Sequence, residues 1–79
     1  MAISLSPNLV SRGKQIYTQL QYTIETKYPG QYIAIDPISS EYFISTRLAD
    51  ALRMAKDKFP DRTFYTVRIG YETALTFSA

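Results

Sequence analysis

The chain opens with a long stretch in which apolar or small residues recur every three or four positions. At about 100° per residue these positions fall on one side of a helix, within an arc of about 120°. Ser6-Pro7 is a typical helix start and Pro29-Gly30 a typical end, so we predict a first helix over residues 7–27. The residues of its stripe are Leu9, Gly13, Ile16, Tyr17, Leu20 and Ile24.

Shorter segments rich in β-branched and aromatic residues follow. QYIAID (31–36) and EYFIS (41–45) predict a hairpin over 31–45, joined by a turn that begins at Asp36-Pro37. A second amphipathic segment predicts a helix over 46–59, with Ser45 or Thr46 as its N-cap. TFYTVRI (63–69) and ALTFS (74–78) predict a second hairpin over 63–78.

The element order α-β-β-α-β-β predicts an α+β fold in one domain, residues 1–79: a four-stranded mixed sheet with two helices. The helix at 46–59 acts as a crossover, which makes the second and third strands parallel if they share a sheet. Side chains alternate along each strand. We therefore expect an aliphatic core face and a second face that is aromatic and partly polar, covered by the first helix or by a partner. In the strand at 63–69, Tyr65 and Val67 point to the first of these faces and Phe64 to the second. The residues expected to be buried are Leu20, Ile33, Ile35, Leu52, Val67 and Ile69.

The amino-acid composition excludes several kinds of functional site. The 79 residues contain no cysteine and no histidine, which excludes disulfides, thiolate metal sites and the commonest general base. A chain this short has a marginal core of its own, so association is the remaining source of stability. We predict no enzyme activity, no cofactor, no metal and no small-molecule substrate.

Two patterns resemble catalytic ones. Ser11 to Lys14 matches S-x-x-K, but a chain of this size has no room for the rest of such a site. Asp36 and Glu41 flank the first hairpin turn and could meet as paired carboxylates. We favour ordinary helix surface for the first pattern and turn chemistry for the second, with Glu41 discouraging edge pairing.

Charge gives little support to nucleic-acid binding. Nine basic and seven acidic residues leave a net charge of +2. The second helix carries Arg47, Arg53, Lys56 and Lys58, interleaved with Asp50 and Asp57, as on a solvated helix face. Nucleic acid is therefore not expected as a partner. No apolar run is long enough for a membrane helix and no signal-peptide pattern is present, so we expect a cytoplasmic protein.

Two functional hypotheses follow. The first is a small protein-interaction or regulatory domain that binds a protein partner or forms a homodimer. Its predicted contact residues are Tyr22, on an uncharged Gln- and Thr-rich face of the first helix, and Tyr32, Phe64 and Arg68 on the sheet. The alternative is a nucleic-acid-binding domain that uses the aromatic sheet face, Arg68 and the basic residues of the second helix.

Residues 30–70 carry a pattern of strand and turn residues: Gly30, Tyr32, Ala34 to Asp36, Glu41 to Ile44, Ala51, Ala55, Pro60, Phe64, Tyr65 and Arg68 to Gly70. This stretch resembles the hairpin-plus-helix module of HicB-like antitoxins and, more closely, a set of short uncharacterised prokaryotic proteins. The resemblance implies a non-catalytic partner protein, one often encoded beside the enzyme or toxin that it binds. The ribbon-helix-helix or helix-turn-helix segment of HicB-like antitoxins has no counterpart in these residues, so direct operator binding is not implied.

Overall fold

A computed structural model of the chain describes residues 7–71 and 74–78. The predicted capping residue Ser6 lies outside this part. The elements are α1 (Pro7–Lys27), β1 (Tyr32–Ile35), β2 (Tyr42–Ser45), α2 (Leu48–Lys58), β3 (Thr63–Arg68) and β4 (Ala74–Ser78). After α1, Gly30 adopts a φ of 82°, which suits glycine and turns the chain into β1. Neither of these helices is long and apolar enough to cross a membrane.

The sheet differs from the predicted four-stranded mixed sheet, and that prediction is wrong. The side chains of the core come from three antiparallel strands in the order β2-β1-β3, which with the helices give α-β-β-α-β. The backbone of β4 pairs with the outer side of β3, also antiparallel. α2 carries the chain across β1. As a result β2 and β3 run in the same direction, and β1 lies between them. No neighbouring pair among the described strands is therefore parallel.

The helix α1 covers one face of the sheet, over β1 and β3. Its buried residues Ile16, Tyr17 and Ile24 pack against the inward-facing residues of those strands. At Gly13 the helix touches the sheet so closely that an added Cβ would lie 2.5 Å from the Cβ of Tyr65. A glycine is required there because no other residue allows this approach.

The helix α2 covers the opposite face. Ala51 and Ala55 pack against Ala34 and Phe64, and all four are completely buried. The expectation that this face is covered by the first helix or by a partner is therefore wrong. α2 begins at Leu48, with Arg47 at the N-cap position and no side-chain cap hydrogen bond, instead of the predicted Ser45 or Thr46 cap.

The core predicted from the spacing is confirmed in most positions. Four aliphatic residues are at most 4% exposed: Ile33 and Ile35 of β1, Val67 of β3, and Ile69 in the turn that follows β3. Leu20 and Leu52, also predicted to be buried, are half-buried and pack against the edges of the two clusters. The strand alternation was sufficient to separate the two faces, whereas the spacing along each helix located its buried side but not the burial of each residue on that side.

Candidate interaction surface

The turn between β1 and β2 is organised by a buried carboxylate. Asp36 is completely buried, and its Oδ1 accepts a hydrogen bond from the backbone N–H of Ile38 at 3.2 Å. Its Oδ2 accepts one from the hydroxyl of Ser39 at 2.9 Å. The backbone carbonyl of Asp36 accepts from the N–H of Ser40, which has a φ of 68°. Asp36 therefore acts within the fold as a turn residue, and its carboxylate is already satisfied.

An arginine beyond α2 joins the end of that helix to this turn. The Nη1 of Arg62 donates to Oδ2 of Asp36 at 2.5 Å, and its guanidinium lies 4.8 Å from the centre of the Phe59 ring. Phe59 in turn meets Phe43 of β2 edge-to-face at 6.5 Å. Glu41, the other carboxylate of the predicted pair, binds Lys58 of α2 at 2.7 Å. The two carboxylates are thus held by separate cations and do not form an acid–base pair.

The strand β2 lies at the edge of the sheet, next to β1 alone among the described strands. Asp36 donates its N–H to the carbonyl of Glu41, so these opposite residues form a hydrogen-bonded pair. Antiparallel pairs alternate between bonded and non-bonded, and the register places Tyr42 and Ile44 in non-bonded pairs with Ile35 and Ile33. The N–H and C=O groups of Tyr42 and Ile44 therefore point outward, and we call these two residues with Phe43 the β2 edge.

Apolar side chains surround the β2 edge. Tyr42 is 41% exposed and Ile38 in the preceding turn 63%. Phe43 and Ile44 are half-buried. α1 lies mainly over β1 and β3, so Tyr42 and Ile44 lie toward the margin of that sheet face, where Ile44 packs against the core beneath α1. β2 itself carries no charge, whereas exposed edge strands are commonly protected by charged residues or proline.

One flank of α2 lies above the same edge. Lys58 reaches Glu41 just before β2, so the flank that carries Lys58 faces the β2 side of the sheet. Asp50 and Met54 stand eight and four residues earlier, on the same flank. Met54 is 39% exposed although it is apolar. We call Asp50, Met54 and Lys58 the α2 stripe; it has an apolar centre with an acidic and a basic end.

The structure brings two of the predicted contact residues together. Tyr32 and Arg68 are register partners on β1 and β3, and the guanidinium of Arg68 lies 5.7 Å from the centre of the Tyr32 ring. It lies 4.3 Å from the centre of the Tyr71 ring, and its Nε donates to the carbonyl of Gly30 at 3.2 Å. Arg68 thus sits between two tyrosines at the end of β3, where it is exposed but already engaged.

The other two predicted contact residues lie apart from this pair. Tyr22 is on the outer side of α1 and is 85% exposed, far more than any other large apolar residue in the described part of the chain. Phe64 is completely buried beneath α2 and belongs to no surface. The four predicted residues therefore do not form one site.

A polar groove of about 480 Å³ runs between α1 and β3. On its wall the hydroxyl of Tyr17 donates to Glu25 at 2.8 Å and accepts from the N–H of Gly70 at 3.3 Å. Burial raises the pKa of Tyr17, and the hydrogen bond to Glu25 raises it further, against a lowering by the Gly70 N–H. Burial also raises the pKa of Tyr65. The hydroxyl of Tyr17, the carboxylate of Glu25 and the N–H of Gly70 thus satisfy one another on this wall.

The basic residues of α2 are partly engaged on the protein itself. Lys58 binds Glu41, and Arg53 binds Asp50 one turn away on the same helix. Within residues 7–71 no three acidic side chains come together as metal ligands would, and every fully buried side-chain nitrogen or oxygen has a hydrogen-bond partner.

The residues of the β2 edge were not among the contact residues predicted from the sequence. The uncharged run Tyr42–Ser45 was the available signal, but strand order decides whether such a strand lies inside the sheet or at its edge, and the spacing of apolar residues does not reveal strand order.

No family model, curated protein or solved structure matches this chain. The resemblance to HicB-like antitoxins therefore stays a prediction.

Proposed function

We propose that this chain is a small non-catalytic protein-interaction domain that acts by binding a protein partner or a second copy of itself. The observation that carries this proposal is the β2 edge, where outward-pointing backbone groups of Tyr42 and Ile44 lie beside exposed apolar side chains. Added strands bind to such edges through main-chain hydrogen bonds, and neighbouring side chains supply specificity. An antitoxin-like or regulatory role is the form of this function that residues 30–70 resemble. The proposal includes a cytoplasmic location, which rests on composition alone.

Both faces of the sheet are already covered by helices, which favours an edge of the sheet over a face as the binding surface. α1 covers one and α2 the other. The alternative, nucleic-acid binding on an aromatic sheet face, requires rings on which bases stack. Phe64, the central ring of that face, is completely buried.

Site-specific photo-crosslinking tests the proposal. Tyr42 is replaced by the photoreactive analogue benzoylphenylalanine in cells that produce the chain, and Tyr22 is replaced in the same way as the matched control. Both residues are exposed tyrosines, but only Tyr42 belongs to the β2 edge. We expect a protein adduct at position 42 and none at position 22.

Mass spectrometry then identifies the adduct as a second copy or another protein. Excess wild-type chain should suppress an adduct to another protein by competition, whereas an adduct to a second copy should form to the added wild-type chain instead. Excess Tyr42→Lys chain should have neither effect, because a charge at the edge opposes strand addition. Absence of a protein adduct at position 42, or equal adducts at both positions, would contradict the proposal.

A further inference from the structure

We propose that the partner at the β2 edge is a second copy of this chain, related by a twofold axis that passes beside Phe43. The inference rests on the proposed function and names its partner and geometry. In this arrangement the β2 strands of two copies pair antiparallel, and their sheets become continuous.

The hydrogen-bonding pattern of the β2 edge fits its own copy. The outward groups belong to Tyr42 and Ile44, which are separated by one residue. A twofold axis beside Phe43 places Tyr42 opposite Ile44 of the second copy, so each such pair exchanges two hydrogen bonds, as bonded pairs of an antiparallel ladder do. Phe43 then faces Phe43 of the second copy at the close spacing of a non-bonded pair, where aromatic side chains contact each other.

The charges near β2 are also compatible with this register. Glu41 falls opposite Ser45 of the second copy, so no like charges face each other along the strand.

The position of α2 fits a second helix beside it. α2 packs evenly on β1 and β2. Its axis therefore lies above the midline between these two strands, about half a strand spacing from β2 on the side of β1. With strands about 4.8 Å apart, the twofold axis is half a spacing outside β2. The two α2 axes are then about 10 Å apart, at the upper end of the 8–10 Å range at which helices pack. Pairing of the edges therefore brings the two helix axes to a distance at which helices pack.

The α2 stripe is complementary to itself about the same axis. Lys58 lies level with Glu41, two residues before Phe43. Met54 lies four residues, or about 6 Å, back along the helix, which matches the length of two strand residues. Met54 is therefore level with Phe43 and meets Met54 of the second copy. Asp50 and Lys58, which pair with Arg53 and Glu41 within the chain, lie equally far from Met54 in opposite directions along α2. Each therefore also comes near the oppositely charged residue of the second copy.

This coincidence favours a second copy over an unrelated protein. The backbone pattern of the β2 edge and the α2 stripe are both self-complementary about one point, Phe43. An unrelated partner requires an edge and exposed apolar residues, but it does not require that these two separate features share one centre of symmetry.

Charge exchange on the α2 stripe tests the inference. Light scattering coupled to size exclusion, from low-micromolar to near-millimolar chain, should give twice the 9.0 kDa chain mass for the wild type. Asp50→Lys and Lys58→Asp each place like charges opposite one another twice per dimer. We expect each variant alone to dissociate at least about tenfold more readily, and a mixture of the two to recover the dimer as a heterodimer.

Two substitutions serve as matched controls. Lys56→Asp and Asp57→Lys make the same charge changes on exposed positions of α2 outside the stripe, and both should keep the wild-type mass. Circular dichroism establishes that all four variants are folded. A wild-type mass of 9.0 kDa at every concentration overturns the inference, as does a dimer that the stripe variants leave intact. A crosslink from position 42 to a different protein would overturn it too, while the proposed function would stand.

Discussion

Replacing Gly13 with alanine tests the closest contact in the fold. At an exposed helix position this change stabilises a protein by about 1 kcal/mol, because alanine loses less conformational freedom on folding. At Gly13 the new Cβ would lie 2.5 Å from the Cβ of Tyr65 and 2.9 Å from its Cδ1. Carbon atoms in ordinary contact are about 3.5–4.0 Å apart, so α1 has to move about 1 Å away from the sheet.

The cost of that movement exceeds the gain. Overpacking of a core costs about 1–3 kcal/mol. The upper end applies here because the Cβ of Tyr65 is attached to the backbone and cannot rotate away. After the helix-propensity gain is subtracted, Gly13→Ala should lower the free energy of unfolding by about 2 kcal/mol. A domain of this size is stable by about 4–12 kcal/mol, so the variant still folds and its loss is measurable.

Urea denaturation followed by circular dichroism is the assay. With a denaturant dependence of about 1 kcal/mol per molar urea, the midpoint should fall by about 2 M. Gln19→Ala is the matched control, since Gln19 is an exposed residue of the same helix; its free energy of unfolding should stay within about 0.5 kcal/mol of the wild type. If Gly13→Ala equals or exceeds the wild type in stability, the close approach of α1 to Tyr65 is refuted.

Two further predictions concern buried ionisable groups. Asp36→Ala should lower the free energy of unfolding by about 3 kcal/mol in urea titrations, because it leaves Arg62 and the turn without their hydrogen-bond acceptor. Asp61→Ala, at an exposed position, is the control and should change the free energy of unfolding by under about 0.5 kcal/mol. Equal effects of the two substitutions would contradict the role assigned to Asp36. The raised pKa values of Tyr17 and Tyr65 mean that the fold favours the neutral phenols. Their contribution is complete below about pH 10 and is lost as the pH rises through the folded pKa values, so unfolding free energies measured between about pH 9 and 11.5 should fall, and a constant value would argue against burial of these rings.

Local patterns in the sequence were sufficient for the helices and for the two sides of each strand. The three- and four-residue spacing from Leu9 to Ile24 located the buried side of α1, and alternation placed Tyr65 and Val67 opposite Phe64. These features depend on residues close in the chain. Strand order depends on where α2 returns the chain, which no local pattern encodes, so the sheet was predicted as mixed.

Local patterns also do not reveal which strands and helices meet, and this explains why the four predicted contact residues do not form one site. Tyr32 and Arg68 are brought together by the pairing of β1 with β3, whereas Phe64 is removed from the surface by α2. Exposure of an aromatic strand residue is decided by which helix packs on its face. The sequence shows that the residue is large and apolar, but not what covers it.

The hydrogen bonds at the first hairpin turn also bear on how the domain unfolds. Arg62, which follows α2, binds Asp36 at one end of the turn, and Arg12 of α1 donates from its Nε to the carbonyl of Pro37 at 3.2 Å. Helices on opposite faces of the sheet are thus fastened to the same few residues. Opening the turn releases both helical layers at once, so neither is free to open as a separate unit, and we expect the domain to lose its amide protection in one cooperative step.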